Sequence, residues 1–348
     1  VLLGALAGVA LLWVATAIAT LMAARRTASC RMLVSRVEAI MCVAPADFSG
    51  GPVHRQQAMR LLDSESTSSV ARALAAVRMP LDVERVFSAR MIAACGEARL
   101  VAAASEHHTE AGRWRRVRAL RTLALGGAPT GLDLLEQAST SDDREFVAAV
   151  VTLLGLVGDR RAAKLLLGLL TSGRVPGSRV AAQLDRFPIA VVDEIWPLRR
   201  HGDAAVRRWG AVLLRRYGSR DDVAEALQTL AVDSDPYVRK AALTSLAAAG
   251  GAVAVRTAER ALADPVGVVR AHAALALRAL EAVETAWQVA TLLGDREWIV
   301  RSAARRTLES FGPSAAWSVI PALSSGDAFE RHGAEAILNR ATRPATLA

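Results

Sequence analysis

The stretch SDPYVRKAALTSLAAAG, residues 234–250, opens on an Asp-Pro turn, passes an apolar residue and an arginine, and then places Ala and Leu at helical spacing up to a glycine. Three other stretches keep that order: DAAVRRWGAVLLRRYG (203–218), DPVGVVRAHAALALRAL (264–280) and DREWIVRSAARRTLESFG (295–312). Their arginines, Arg207, Arg239, Arg270 and Arg301, stand 32, 31 and 31 residues apart. Self-similarity at a nearly fixed period marks an architecture in which each unit buries its apolar stripe only against its neighbours. The register runs forward to Arg331 in DAFERHGAEAIL and backward to Arg179 in SRVAAQL, Ala148 in DREFVAAVVTLLG and Arg118 in RRVRALRTLALGG, which makes eight repeats. Ala148 departs from the arginine pattern. Before residue 111 the register fades, with Ser88 in ERVFSARMIAA as a degenerate candidate.

Over residues 111–340 this pattern resembles the short bacterial HEAT repeats of the phycobilisome-lyase-like type. The resemblance implies an all-α fold: an α-solenoid of about eight HEAT-like helix pairs, here preceded by one transmembrane helix. In one such pair the helices are expected over Asp222 to Ala231 and Tyr237 to Ala248, with Asp235 and Pro236 forming the turn and start of the second. Gly158, Gly218 and Gly250 stand where helices are expected to stop. The expected organisation is a transmembrane helix over 1–24, a juxtamembrane helical region over 25–110, the repeats over 111–340 and a tail over 341–348.

The resemblance further implies a hydrogen-bonded ladder between neighbouring repeats, made by the turn aspartates Asp203, Asp235, Asp264, Asp295 and Asp327 with Arg207, Arg239, Arg270, Arg301 and Arg331. The Asp-to-Arg offset is four for 203/207, 235/239 and 327/331, and six for 264/270 and 295/301, so the pairing is not uniform. The alternative is an arginine row that reads phosphate or carboxylate on a partner. A residue in register with every repeat suits stacking better.

A binding site must break the symmetry of the repeat, which directs attention to arginines outside the register. Arg113, Arg115, Arg116 and Arg121 surround Trp114, while Arg208, Arg215 and Arg216, with Arg199 and Arg200, surround Trp209. Arg–Trp surfaces stack on and pair with anionic partners. The plainer reading is a solvated helix face beside a buried tryptophan.

Composition agrees with helix-on-helix packing: of 348 residues 52% are hydrophobic, only 4% are aromatic, and the apolar mass is Ala, Leu and Val. The net charge of +9 rests on 41 arginines and two lysines, Lys164 and Lys240, a ratio expected of a GC-rich bacterial coding sequence. The surplus concentrates in 111–218, with 18 basic and 10 acidic residues, and forms a broad basic surface rather than a nucleic-acid signature, so no specific nucleic acid is expected. Cys30, Cys42 and Cys95 form no CxxC and suit a reducing compartment. The histidines, including the adjacent pair His107 and His108, never take a metal-ligand spacing, and neither a metal nor a cofactor is expected.

Nucleophile elbow, Walker loop and Rossmann glycine patterns are missing, and the glycines of LGLVGDRR (154–161) fall at a helix-to-helix turn. The expectation is a scaffold rather than an enzyme. The alternatives are a HEAT-fold enzyme, bilin-lyase-like or DNA-glycosylase-like, and a binder of anionic ligands on the basic middle surface.

Val1 to Ala24 carry no charge, and at about 1.5 Å per residue a helix of that length covers the roughly 30 Å hydrocarbon core of a bilayer. A cleaved signal peptide would need a basic n-region, and Thr27, Ala28 and Ser29 before Cys30 make a poor lipoprotein signal, so an anchor is expected. Arg25, Arg26, Arg31 and Arg36 precede Glu38, the first acid, which by the positive-inside rule places the repeats in the cytoplasm of a single-pass bacterial inner-membrane protein. Its expected partners are the lipid bilayer, through 1–24, and a membrane-associated protein. Proteins of similar layout accompany exopolysaccharide glycosyltransferases, which implies a cell-envelope assembly.

Overall fold

The computed structural model describes the backbone of residues 2–42, 51–105 and 110–341, with side chains for 16–41, 54–105 and 112–340. The His107–His108 pair, the side chain of Cys42 and the tail expected over 341–348 lie outside the residues so described. Among the described residues all regular structure is helical, and the chain divides into two compact units, Val1–Leu165 and Leu166–Ala348.

The first unit holds α1 (Leu2–Cys42), α2 (Gly51–Asp63), α3 (Thr67–Ala76), α4 (Leu81–Cys95), α5 (Glu97–Ser105), α6 (Glu110–Gly126), α7 (Pro129–Ser139), α8 (Arg144–Val157) and the start of α9 (Arg160–Thr171). Cys30, Leu33, Val34 and Val37 recur on one face of α1, and they pack with Ala58 and Leu62 of α2, Val70 and Ala73 of α3, and Val83, Val86 and Phe87 of α4. Helices α4 and α6 approach closely at Gly126, where an added Cβ would meet the backbone of Ser88 at 2.9 Å. Helices α4 and α5, which precede the expected start of the repeats at residue 111, pack against α6. Arg85 donates from Nη2 to the carbonyls of Leu156 and Val157, both at 3.2 Å, and satisfies the C-terminal end of α8.

The second unit continues with α10 (Gly177–Leu184), α11 (Val192–Ile195), α12 (Ala204–Leu214), α13 (Asp221–Leu230), α14 (Pro236–Ala249), α15 (Gly251–Ala261), α16 (Gly267–Ala279), α17 (Ala286–Ala290), α18 (Trp298–Phe311), α19 (Ala316–Val319) and α20 (Ala328–Ala341). The eight register positions fall on α6, α8, α10, α12, α14, α16, α18 and α20, each the second helix of a pair. Helix α14 shows why. Asp235 Oδ1 accepts from the amides of Tyr237 (2.8 Å) and Val238 (3.0 Å), Pro236 occupies the first turn, and Val238, Ala241, Ala242, Ser245 and Leu246 form the buried stripe. Gly158 and Gly250 end their helices at φ of 71° and 81°. Gly218 differs from the expectation: its φ is −61°, and it is small because a Cβ there would collide with Ala249.

Among the described residues no helix is long and apolar enough to cross a membrane. Most of the segment expected to do so, residues 1–15, lies outside the described side chains, while its backbone from Leu2 belongs to the single helix α1.

Candidate binding site

A ladder of guanidinium–carboxylate pairs joins successive repeats of the second unit. Arg207 donates through Nε and Nη2 to both oxygens of Asp233 (2.8 Å each), Arg239 to those of Asp264 (2.8 and 2.7 Å) and Arg270 to those of Asp295 (2.7 and 2.8 Å). Each Nη1 turns back onto its own turn: Arg207 to the His201 carbonyl, Arg239 to that of Asp233, Arg270 to that of Asp264 and Arg301 to that of Asp295, at 2.8–2.9 Å. Each ladder carboxylate also accepts, at 2.9 Å, the amide two residues on. One aspartate thus holds its turn, receives the arginine of the preceding repeat and offers its carbonyl to its own.

The uneven offsets now have a reason, since two kinds of aspartate share the turn. The ladder residues lie six before the arginine, and Asp233, absent from the sequence-derived set, is one of them. Asp203, Asp235 and Asp327 lie four before and are helix N-caps, each accepting amides of its own helix rather than an arginine. His201 and Ser325 occupy the ladder position at the two ends; His201 Nδ1 and Ser325 Oγ accept the amides of Asp203 and Asp327 at 3.1 Å, as the carboxylates do elsewhere. Ser325 presents no charge to Arg301, whose guanidinium lies 4.3 Å from the Phe329 ring centroid instead. Arg331 donates to the Ser325 carbonyl at 2.6 Å.

The electrostatics follow the geometry. Hydrogen bonds to their aspartates raise Arg207, Arg239 and Arg270 above the ordinary arginine value. Arg207 holds Asp233 below the usual carboxylate range. Burial pushes Asp295 up, but its bond to Arg270 and the Glu297 amide outweigh that and leave it low.

Of the arginines outside the register, those near Trp114 hold the first unit together. Arg113 pairs with Asp143 at 2.8 Å and also with Glu145, while Arg116 donates to the Ala104 carbonyl at 3.0 Å and lies 4.2 Å from the Phe146 ring centroid. Burial lowers the Arg116 pKa. Arg121 donates through Nε and Nη2 to the two carboxylate oxygens of the buried Glu84. Trp114 and Arg115 are exposed. No single site collects this group.

The second set does converge. Arg208 and Trp209 of α12, with Arg215 just past its end, face Tyr237, Lys240 and Thr244 of α14 across a groove of about 340 Å³. The Trp209 indole rests against Gly177 at the start of α10, where any side chain would collide with it, and its ring lies 5.5 Å from the Arg208 guanidinium carbon. Tyr237 is 53% exposed and forms the opposite aromatic wall. Arg215 stands 3.6 Å from Asp185, and Arg216 lies outside the groove, donating to the Asp185 carbonyl at 3.2 Å. The hydroxyls of Thr244 and Ser245 are engaged by the carbonyls of Lys240 (3.0 Å) and Ala211 (2.9 Å). Such a groove offers an aromatic cleft with cations at its rim.

Tyr237 and Lys240 escape a reading of individual motifs, although Lys240 follows its ladder arginine as Arg208 follows Arg207. Also unread were Trp298, Trp317 and Phe329, which are 64–73% exposed near the C-terminal end of the unit. Among the described residues no group of His, Cys, Asp or Glu could hold a metal ion.

Residues 195–278 match the family model described as HEAT repeats. The helix pairs through this stretch are similar to HEAT repeats. Similar solved structures include human deoxyhypusine hydroxylase in complex with glycerol (18% identity, TM-score 0.31, covering 72% of this chain and 98% of that one). Others are an engineered protein (20%, 0.34, 60% and 96%) and a mutant of Kap121p (12%, 0.47, 89% and 41%). No curated protein sequence matches.

Proposed function

We propose that this chain is a non-enzymatic scaffold that binds a partner protein in the groove between α12 and α14 and is tethered to a bacterial inner membrane by the start of α1. The observation that carries the binding role is the groove itself, with Trp209 and Tyr237 as walls and Arg208, Arg215 and Lys240 around them. Aromatic anchors beside cations suit a peptide segment that inserts an apolar side chain and flanks it with carboxylates. The lining hydroxyls of Thr244 and Ser245 are occupied by backbone carbonyls, which favours binding over catalysis there. Tethering is supported by the uncharged run Val1 to Ala24, and the arginines that follow it favour a cytoplasmic repeat region. The partner expected on this reading is a membrane-associated component of a cell-envelope assembly, such as an exopolysaccharide glycosyltransferase.

The test is a mild-detergent pull-down with the full chain against the double variant Tyr237→Ala/Lys240→Glu. Loss of an aromatic anchor costs about 2 kcal/mol, or roughly thirtyfold in affinity, so one membrane protein should be enriched by the wild type and lost with the variant. Equal recovery by both would remove the groove from the binding surface.

A further inference from the structure

We propose that the first unit contains a binding site for the phosphate of an acidic lipid headgroup, placed where the uncharged part of α1 ends. A cavity of about 530 Å³ opens there, lined by Arg25, Arg26 and Arg36 of α1 and by Ser69 and Arg72 of α3. The spacing of the α1 residues puts them on one side of the helix, and burial of Cys30 and Leu33 in the core of the unit fixes that side against α3. Ser69 belongs to the first turn of α3, which Ser66 caps by accepting the Ser69 amide at 3.2 Å, so the positive end of that helix also faces the cavity. Arg72 Nη2 donates to Ser69 Oγ at 3.2 Å, which steadies its guanidinium at the rim.

The charge balance suits an anionic ligand. Four arginines line the cavity against one acid, Glu65, and among the described residues none of the four is paired with a carboxylate. Three other arginines of the same unit do meet carboxylates, Arg90 at Asp63, Arg113 at Asp143 and Arg121 at Glu84. Gathering unmatched guanidiniums is unfavourable unless a counter-ion occupies the space, and several arginines around a concave opening suit a phosphate. The position selects the source. Ala24, the last residue of the uncharged run, directly precedes Arg25 at the cavity, so a helix inserted through that run would hold the cavity at headgroup depth. This inference rests on the reading of α1 as an anchor.

The experiment uses the full chain in nanodiscs made of equal amounts of phosphatidylcholine and phosphatidylglycerol, with the retained lipids counted by native mass spectrometry. Wild-type protein should retain phosphatidylglycerol preferentially. The double variant Arg26→Gln/Arg72→Gln should lose about fivefold in that preference per arginine, while Arg31→Gln, an exposed position of α1 outside the cavity, should keep it. Equal retention of both lipids by the wild type, or an Arg31→Gln loss as large as that of the double variant, would refute the site and leave the anchor standing. Failure to enter nanodiscs of either lipid would overturn the anchor and, with it, a lipid occupant. Saturable binding of inorganic phosphate unaffected by phosphatidylglycerol would assign the cavity to a soluble phosphate and overturn the lipid.

Discussion

Replacing Arg239 by alanine removes four hydrogen bonds at once: two to Asp264, and those to the carbonyls of Asp233 (2.9 Å) and Ser234 (3.2 Å). The two side chains of the ion pair are only 11% and 10% exposed, so water would replace the guanidinium only in part. Asp264 would keep the Val266 amide and lose its cation. Breaking a buried pair from one side costs about 3 to 5 kcal/mol, and the residual exposure of both groups favours the lower end. At about 3 kcal/mol a unit of this size should melt roughly 6 to 12 °C lower. Arg301→Ala is the internal comparison, because that arginine meets two carbonyls and the Phe329 ring but has Ser325 where the others find a carboxylate. Its loss should cost about 1 kcal/mol. Differential scanning calorimetry of both variants reads the contrast directly. Equal shifts would show that the carboxylate contacts contribute nothing beyond the carbonyl contacts, and the ladder would no longer explain the conserved spacing within this chain.

Acid should weaken the same ladder. Asp233 and Asp295 have folded pKa values below the ordinary value of about 3.9, so their contribution is complete above that pH and is lost as pH falls through the lower folded values. Melting temperature should therefore hold from neutrality to about pH 5 and drop below about pH 4, and Arg207→Gln should flatten part of that drop. Gly126→Ala places a methyl against the Ser88 and Ala89 backbone at 2.9 and 3.0 Å and should destabilise the first unit by about 1 to 3 kcal/mol in a thermal melt. Gly177→Ala should push the Trp209 indole from its seat, seen as a shift in tryptophan emission and weaker partner binding with the ladder intact.

The helix pairs were legible because the signal was repeated: a turn aspartate, an arginine and an Ala/Leu stripe recur on α12, α14, α16 and α18, and only stacked helices use that pattern. The ladder was half legible. Asp233 stands one residue before the repeated stretch that opens at Ser234, and the N-cap aspartates, being closer to the arginines in sequence, mimic the true partners. Distance along the chain could not separate a residue that caps its own helix from one that reaches the next repeat. The site residues fared less evenly for a similar reason. Arg113 and Arg116 look like free cations in sequence because their partners, Asp143 and the Ala104 carbonyl, belong to other helices. Tyr237 sits in a repeat otherwise read as structural, and only the packing of α12 beside α14 sets it opposite Trp209.

On the proposed function, a segment of a membrane-associated partner protein occupies the α12/α14 groove. The most direct measurement replaces Tyr237, which is 53% exposed, by a photoreactive benzoylphenylalanine in the full chain, irradiates intact cells and identifies the adduct by mass spectrometry. The expected result is a cross-link to one membrane-associated protein that disappears when Lys240→Glu is added. Cross-links that persist unchanged with Lys240→Glu, or that reach only nucleic acid, would contradict it.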